Sequence, residues 1–358
     1  MNNRLINLGF SDRFIQQANL YNGLILGRVI SQYKDLYKVA TEKCELLAEV
    51  SGRFRHEVIS RSQFPVVGDF VMIDRDNNKN GNAIIHQVLD RKSAFSRKAA
   101  GNENDVQFVA ANIDMVFICM SLNKDFNLRR LERYIAITWD SGAVPVVVLT
   151  KSDLCGSLSK KLEEVNTVTV GVDVVVTTSM TEDGYETVLK YIKSGITVAF
   201  IGSSGVGKST LINRLIGKDV IETGDIRDDD KGRHTTTRRD LIIISSGGAV
   251  IDTPGMREIG IESANISKTF TDIEELADKC KYSNCTHKNE PRCAVKQAIE
   301  EGIISEERFL SYEKLKKEAK YEGLNSRQIE KQKINEMFSG FGGIKNARNY
   351  IKSKNMKK

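Results

Sequence analysis

Residues Gly202-Ser203-Ser204-Gly205-Val206-Gly207-Lys208-Ser209 limit the possible folds more tightly than any other stretch of the chain. They satisfy G-x-x-x-x-G-K-[ST] at every fixed position, directly after the apolar run 197–201 and ahead of a helical pattern over 210–216. Such a loop needs a strand behind it and a helix in front. Its glycines let the backbone curl so that successive N–H groups face a phosphate, and the helix dipole adds positive potential. The surrounding pattern agrees. Apolar runs of strand length at 113–120, 144–149, 173–177, 197–201 and 248–251 alternate with amphipathic segments at 128–139, 158–165, 185–193 and 210–216. That alternation implies a parallel sheet with both faces covered, and open α/β sheets bind ligands at the carboxyl ends of their strands.

Three further motifs stand at or near predicted strand ends, in an inverted order. Thr150-Lys151-Ser152-Asp153, a T/N-K-x-D tetrad, precedes the phosphate loop; Thr235-Thr236-Thr237 and Asp252-Thr253-Pro254-Gly255, a D-x-x-G, follow it. The Asp153 carboxylate can accept from guanine N1–H and the 2-amino group, a donor pair adenine lacks, and a site built on that pair rejects adenine strongly. Lys151 is expected along the base, and the backbone N–H of Ser179 or Met180 at its O6. Lys208 is expected on the β- and γ-phosphates, with Thr210 opening the helix. Mg²⁺ would be held by Ser209, Asp252 and Thr236, the last preferred slightly to Thr237, while the Gly255 N–H senses the γ-phosphate. These are the parts of a GTP site in circularly permuted order, with the base reader leading. Met256 stands where many GTPases carry the glutamine that orients water, so hydrolysis by the chain alone is expected to be slow. His234 is the candidate catalytic group in its place, alongside Lys208.

The flanks differ in character. Five short β-type runs between 23 and 88 suit a small barrel, the OB-fold first and an SH3-like barrel second. Beyond 262 the pattern is helical around Cys280-x₄-Cys285-x-His287-x₅-Cys293. Three thiolates and an imidazole within fourteen residues favour one structural Zn²⁺, because four protein ligands leave no position open for chemistry. Cys44, Cys119 and Cys155 are scattered in or beside apolar stretches and are expected buried or half-buried. The net charge is +6, yet residues 313–358 alone hold thirteen Lys/Arg against five Glu. A surplus so one-sided favours an anionic partner, nucleic acid before membrane. No run approaches the ~18 apolar residues of a membrane span, and the first residues do not resemble a secretory signal. A cytosolic protein is expected.

With these residues in view the chain resembles the RsgA family of circularly permuted, ribosome small-subunit-dependent GTPases. The resemblance rests on the motif order, on Gly232-Arg233-His234-Thr235-Thr236-Thr237, on Asp252-Thr253-Pro254-Gly255-Met256, and on the Cys/His spacing. It implies an OB-fold barrel at 21–100, a permuted P-loop GTPase domain at 106–262 and a mostly helical zinc-binding domain at 263–338; residues 1–20, polar and read as a loosely held arm, and the basic tail at 339–358 lie outside the match. It also implies GTP hydrolysis in late maturation of the small ribosomal subunit, with that subunit and its rRNA as partners, GTP/GDP as ligands, and a monomer off the membrane. Because the segment after Asp252–Gly255 runs straight into the zinc-binding domain, nucleotide state is expected to couple to rRNA binding through that domain. The alternative readings are an RNA-binding protein with a purely structural GTP site and a P-loop ATPase or small-molecule kinase; Asp153 and the D-x-x-G argue against the latter.

Overall fold

The computed structural model describes residues 3–58, 60–77, 81–98, 106–123, 125–178, 180–181, 184–217, 239–244, 247–252, 269–282, 285–287 and 290–320. Five strands build the barrel: β1 (Ile25–Gln32), β2 (Tyr37–Ala40), β3 (Glu45–Val50), β4 (Phe70–Ile73) and β5 (Ala83–Val88). In β3 the alternation is clean: Leu46, Ala48 and Val50 point inward while Glu45 and Leu47 face solvent. These residues join Val29, Val39, Val71, Ile73, Ala83 and Ile85 in one apolar interior. β1 pairs with both β2 and β4, and β3 runs parallel to β5, so the ring closes in the order β1-β2-β3-β5-β4-β1. The parallel β3–β5 closure, with a short α-helix (Gly52–Glu57) and a 3₁₀ turn (Arg61–Gln63) between β3 and β4, is the OB arrangement and sets aside the SH3-like alternative.

A hairpin of β6 (Ala94–Lys98) and β7 (Val106–Ala111) follows the barrel. Residues from 106 onward read as the start of the α/β region; instead β7 pairs antiparallel with β6 and stays outside the main sheet. The parallel sheet then comprises β8 (Met115–Ser121), β9 (Val144–Thr150), β10 (Asp173–Val176), β11 (Thr197–Ile201) and β13 (Ala249–Asp252), in the order β10-β9-β8-β11-β13. Their near-continuous apolar runs are what two covered faces require. The helix Leu128–Asp140 (α4) covers one face through Leu131 and Ile135, its first turn capped where Asn127 Oδ1 accepts from the Arg130 N–H at 3.0 Å. A strand absent from the sequence reading, β12 (Arg239–Ile243), runs antiparallel to β13 and meets the end of β1 at Ser31–Asp240 and Gln32–Arg239. Barrel and parallel sheet are therefore one continuous eleven-stranded sheet. Among the described residues, no helix is long and apolar enough to cross a membrane.

The first twenty residues read as polar and loosely held; the structure corrects this. Helices Asn3–Asn7 and Asp12–Ala18 carry Leu8, Phe10 and Phe14 into the core, with Phe14 stacked on Phe70 at 3.8 Å between ring centroids. The apolar positions were visible, but their spacing spans two very short helices and has no single period. Beneath them lies Arg28 of β1, fully buried. Its guanidinium donates to Leu8 O at 2.5 Å, Thr197 Oγ1 at 2.9 Å, and Gly68 O and Asn112 O at 3.2 Å. Replacing Arg28 with Met leaves these acceptors buried with one partner fewer. Stability should fall by about 3 kcal/mol or more at 1–3 kcal/mol per unsatisfied group, measurable by denaturant unfolding. A loss below ~1 kcal/mol would show that the arm, barrel and sheet do not depend on it.

Candidate nucleotide site and metal cluster

Every motif that the structure describes sits at the carboxyl edge of the parallel sheet. β11 ends at Ile201 and runs into the phosphate loop, whose Gly202, Gly205 and Gly207 take φ of 143°, 74° and 93°. Gly202 could be nothing else, since a Cβ there would lie 2.3 Å from the Cys119 carbonyl oxygen of β8. The helix Lys208–Ile216 (α7) begins at the loop's last two residues, so Lys208, Ser209 and Thr210 form its first turn. Lys208, 6% exposed, turns its Nζ back into the loop, donating to Gly202 O at 2.7 Å and to Ser203 O. Asp252 ends β13, immediately beside β11. Cys119, buried beneath the loop, has its thiol pushed up to about 12 by burial and stays an uncharged filler, while Cys44 and Cys155 are half-buried as expected.

The Thr150–Asp153 tetrad lies two strands away, at the end of β9. Thr150, occupying a position that more often carries Asn, donates its hydroxyl to the Val206 carbonyl of the phosphate loop at 2.6 Å. One bond thus joins the motif from the first half of the α/β region to the motif from the second. Lys151 is left-handed at φ 56°, which turns the chain sharply enough to start the 3₁₀ turn Ser152–Leu154. The Asp153 carboxylate is held from the neighbouring strand, where Thr178 Oγ1 donates to Asp153 Oδ1 at 2.5 Å. The Met180 N–H donates to that same Thr178 hydroxyl at 3.1 Å. Thr178 had no role in the sequence reading. Its only signal was its place at a strand end opposite Asp153. Ser179, His234, Thr236, Gly255 and Met256 lie outside the described residues.

The Cys/His cluster gathers as its spacing anticipates. The ligand atoms of Cys280, Cys285, His287 and Cys293 all lie within 4.8 Å of one another and could hold a metal ion. Cys280 Sγ is 3.8 Å from Cys293 Sγ, and His287 Nδ1 is 3.6 Å from Cys280 Sγ and 3.4 Å from Cys293 Sγ. Local backbone builds this. Cys280 follows the helix Thr271–Ala277, Cys293 caps the helix Ala294–Glu300 by accepting from the Lys296 N–H, and His287 and Arg292 take positive φ between them. The segment also has an apolar core of its own, which the sequence reading did not credit. Phe270, Ile273, Val295, Ile304, Phe309 and Tyr312 pack together, with the Phe309 ring edge-on to His287.

The family model described as RsgA GTPase matches residues 88–262. An ABC transporter model also matches residues 186–341, a stretch that contains the phosphate loop and leaves out the Thr150–Asp153 tetrad. Relatives similar along nearly the whole chain decide between them. The small ribosomal subunit biogenesis GTPase RsgA 2 of Lactiplantibacillus plantarum is 49% identical, over 95% of this chain and 96% of that protein. The small ribosomal subunit biogenesis GTPase RsgA of Methanosarcina acetivorans is 41% identical, over 92% and 90%. Among solved structures, YjeQ from Thermotoga maritima is 27% identical with a TM-score of 0.62, over 83% of this chain and 98% of that one. YloQ, described as a circularly permuted GTPase, has the same fold at 24% identity, with a TM-score of 0.61 and coverage of 84% and 96%. With its base reader ahead of its phosphate loop and its barrel and Cys/His module on either side, the chain belongs to the RsgA family of circularly permuted GTPases.

Proposed function

We propose that the chain binds GTP across the carboxyl ends of β9, β8 and β11 and hydrolyses it on the small ribosomal subunit during late maturation, in the cytosol. The observation that carries this reading is the Thr150–Val206 hydrogen bond. It ties the tetrad of β9 to the phosphate loop of β11, which supports one ligand shared between Asp153 and Lys208. Two inter-strand steps separate β9 from β11, about 10 Å at ~4.8 Å per step, a span that suits a guanosine between its base and its phosphates. Asp153, oriented by Thr178, selects guanine; Lys151 flanks the base. Because the Met180 N–H is engaged by Thr178, the Ser179 N–H is the better candidate for O6. Gly202 to Gly207 wrap the phosphates, Lys208 neutralises them and Thr210 continues the helix behind them.

A hydroxyl in the first turn of the helix after the phosphate loop, Ser209, and a carboxylate at the end of β13, Asp252, are the hard oxygen donors that Mg²⁺ takes, with Thr236 and Gly255 completing the γ-phosphate side. Bound there, the metal supplies charge neutralisation at the phosphates. His234 is the proposed water-positioning group, since Met256 has no polar atom suited to it. The relatives are named for small-subunit biogenesis, and the barrel fold and the Lys/Arg surplus of residues 313–358 support rRNA as the partner.

For the Cys₃His cluster we propose one structural Zn²⁺. A tetrahedron with Zn–S near 2.3 Å and Zn–N near 2.0–2.1 Å has edges of about 3.8 Å and 3.5 Å, against the separations of 3.8, 3.6 and 3.4 Å found here.

Three measurements test this reading. GTP turnover titrated with purified small subunits should rise at least tenfold, with ATP unaffected; a flat titration rejects a subunit-dependent enzyme. Thr150→Val should weaken GTP binding about five- to tenfold, the worth of one buried hydrogen bond, and Thr150→Asn should restore most of it. An unchanged Kd in Thr150→Val would separate the two motifs. Purified protein should carry one zinc per chain by elemental analysis and lose most of it in Cys285→Ser; metal-free wild-type protein would overturn the assignment.

A further inference from the structure

Helix α4 makes two sets of ionic contacts that none of the roles above uses. Arg130, in its first turn, donates through Nη1 to the Ser203 hydroxyl of the phosphate loop and to both Asp125 oxygens at 3.0 Å. Asp125 is itself placed by the turn before the helix, where Asn123 Oδ1 accepts from the Asp125 N–H at 3.0 Å and from Ser121 Oγ at 2.8 Å. Two residues on, Glu132 is fully buried and accepts from Arg129 at 2.7 and 2.8 Å and from Arg308 at 2.7 Å. Arg308 belongs to the C-terminal module. It is 4% exposed, doubly bonded to Asp272 at 2.8 Å, bonded to Thr269 O at 3.1 Å, and lies over the Phe270 ring.

Ser203 is also, with Gly202, one of the two residues whose carbonyls hold the Lys208 ammonium. A cation that fixes the Ser203 side chain therefore fixes the loop segment on which Lys208 rests. A buried carboxylate shared by two arginines is costly to break, because removing one partner leaves charge uncompensated; α4 is thereby held firmly to the C-terminal module. We propose that Arg130 is a positioning residue of the phosphate loop and that the Glu132–Arg308 pair sets it, so that the first two turns of α4 connect the metal-binding module to nucleotide affinity. Asp125 competes with the loop for Arg130. This inference rests on the nucleotide reading above.

The test is a double-mutant cycle in the full-length, metal-loaded protein, read as GTP and GDP affinity by titration with fluorescent nucleotide. Arg130→Ala should weaken GTP binding about tenfold, the size of one charge-assisted hydrogen bond, with the preference for GTP over ATP unchanged. Arg130→Lys should recover part of the loss, and Asp125→Asn should tighten binding. Arg308→Met should weaken GTP binding about threefold in the wild-type background and have no effect in the Arg130→Ala background, because coupled residues are not additive. Should Arg308→Met fail to fold, Arg308→Lys replaces it in the cycle, keeping a charge at that position and carrying the same non-additivity requirement. GTP affinity within twofold of wild type in Arg130→Ala would overturn the positioning role. An Arg308 effect that persists undiminished in Arg130→Ala would overturn the connection. Lys208→Ala is the control for the underlying reading: if it binds GTP normally, the nucleotide site itself has been misplaced.

Discussion

Arg28 occupies the point where the arm, the barrel and the parallel sheet meet, and it does so without a carboxylate partner. Its four hydrogen bonds all go to uncharged oxygens, one from the arm, one from the barrel, one from the turn before β8 and one from β11. Burial alone lowers its pKa to about 10, against the raising influence of Asp114 and Asp69. It stays protonated at neutral pH, and the desolvation that this entails is offset by satisfying several buried acceptors at once. A planar fork can reach acceptors from several directions in one plane, whereas an ammonium cannot. The stacking of Phe14 on Phe70, with the guanidinium 4.8 Å from the Phe70 ring, closes the same junction from the apolar side. These elements are cemented by one guanidinium packed beside the Phe70 ring.

That junction matters for the site because β12 joins the two sheets. Its backbone bonds are shared between β13, which ends at Asp252, and β1, which carries Arg28. Residue 239, the first of β12, follows the Thr235–Thr237 run almost directly in sequence. The strand leaving the threonine segment is thus a rung of the ladder between nucleotide side and barrel. The pairing to β1 covers two residue pairs, reinforced by Ser31 donating to Asp240 at 2.5 Å. A joint this short is weaker than the five-strand ladders on either side of it, which places the least cohesive part of the sheet between its two functional bodies.

What could be read from residues alone follows from how local the determining physics is. β11, β4 and β5 fall where their apolar runs place them, and α4 starts where its pattern does and runs one residue longer, because period and burial are written within the element itself. The strand-end and loop positions of the described motif residues follow for the same reason, since spacing within a loop is local. Their supporting partners do not. Ser203 meets Arg130 across 73 positions and Glu132 meets Arg308 across 176, and no local pattern encodes such a meeting. β12 escaped notice because it opens on Arg239-Asp240, too polar for a central strand. It is tolerated there because Asp240 finds Ser31 on the barrel. Leu8, Phe10 and Phe14 of the arm become a core only once Phe70 is opposite them, a contact that no local pattern in residues 1–20 encodes.

The inverted motif order leaves the chemistry untouched and changes what is attached to it. A ligand at the edge of a parallel sheet meets strand ends in their spatial order, β10-β9-β8-β11-β13, and that order does not depend on which strand the chain visits first. Thr150 shows the consequence. A residue from one half of the region bonds directly to the loop of the other half, as it would have to in any chain order. Connectivity instead determines the neighbours of the ends. Here the barrel precedes β8, and the chain leaving Asp252 leads towards the Cys/His module. The module then packs back onto α4, the helix that follows β8 and touches the phosphate loop. The chain therefore reaches the nucleotide side of the sheet twice from its carboxyl end, once through the covalent path after Asp252 and once through a buried ion pair.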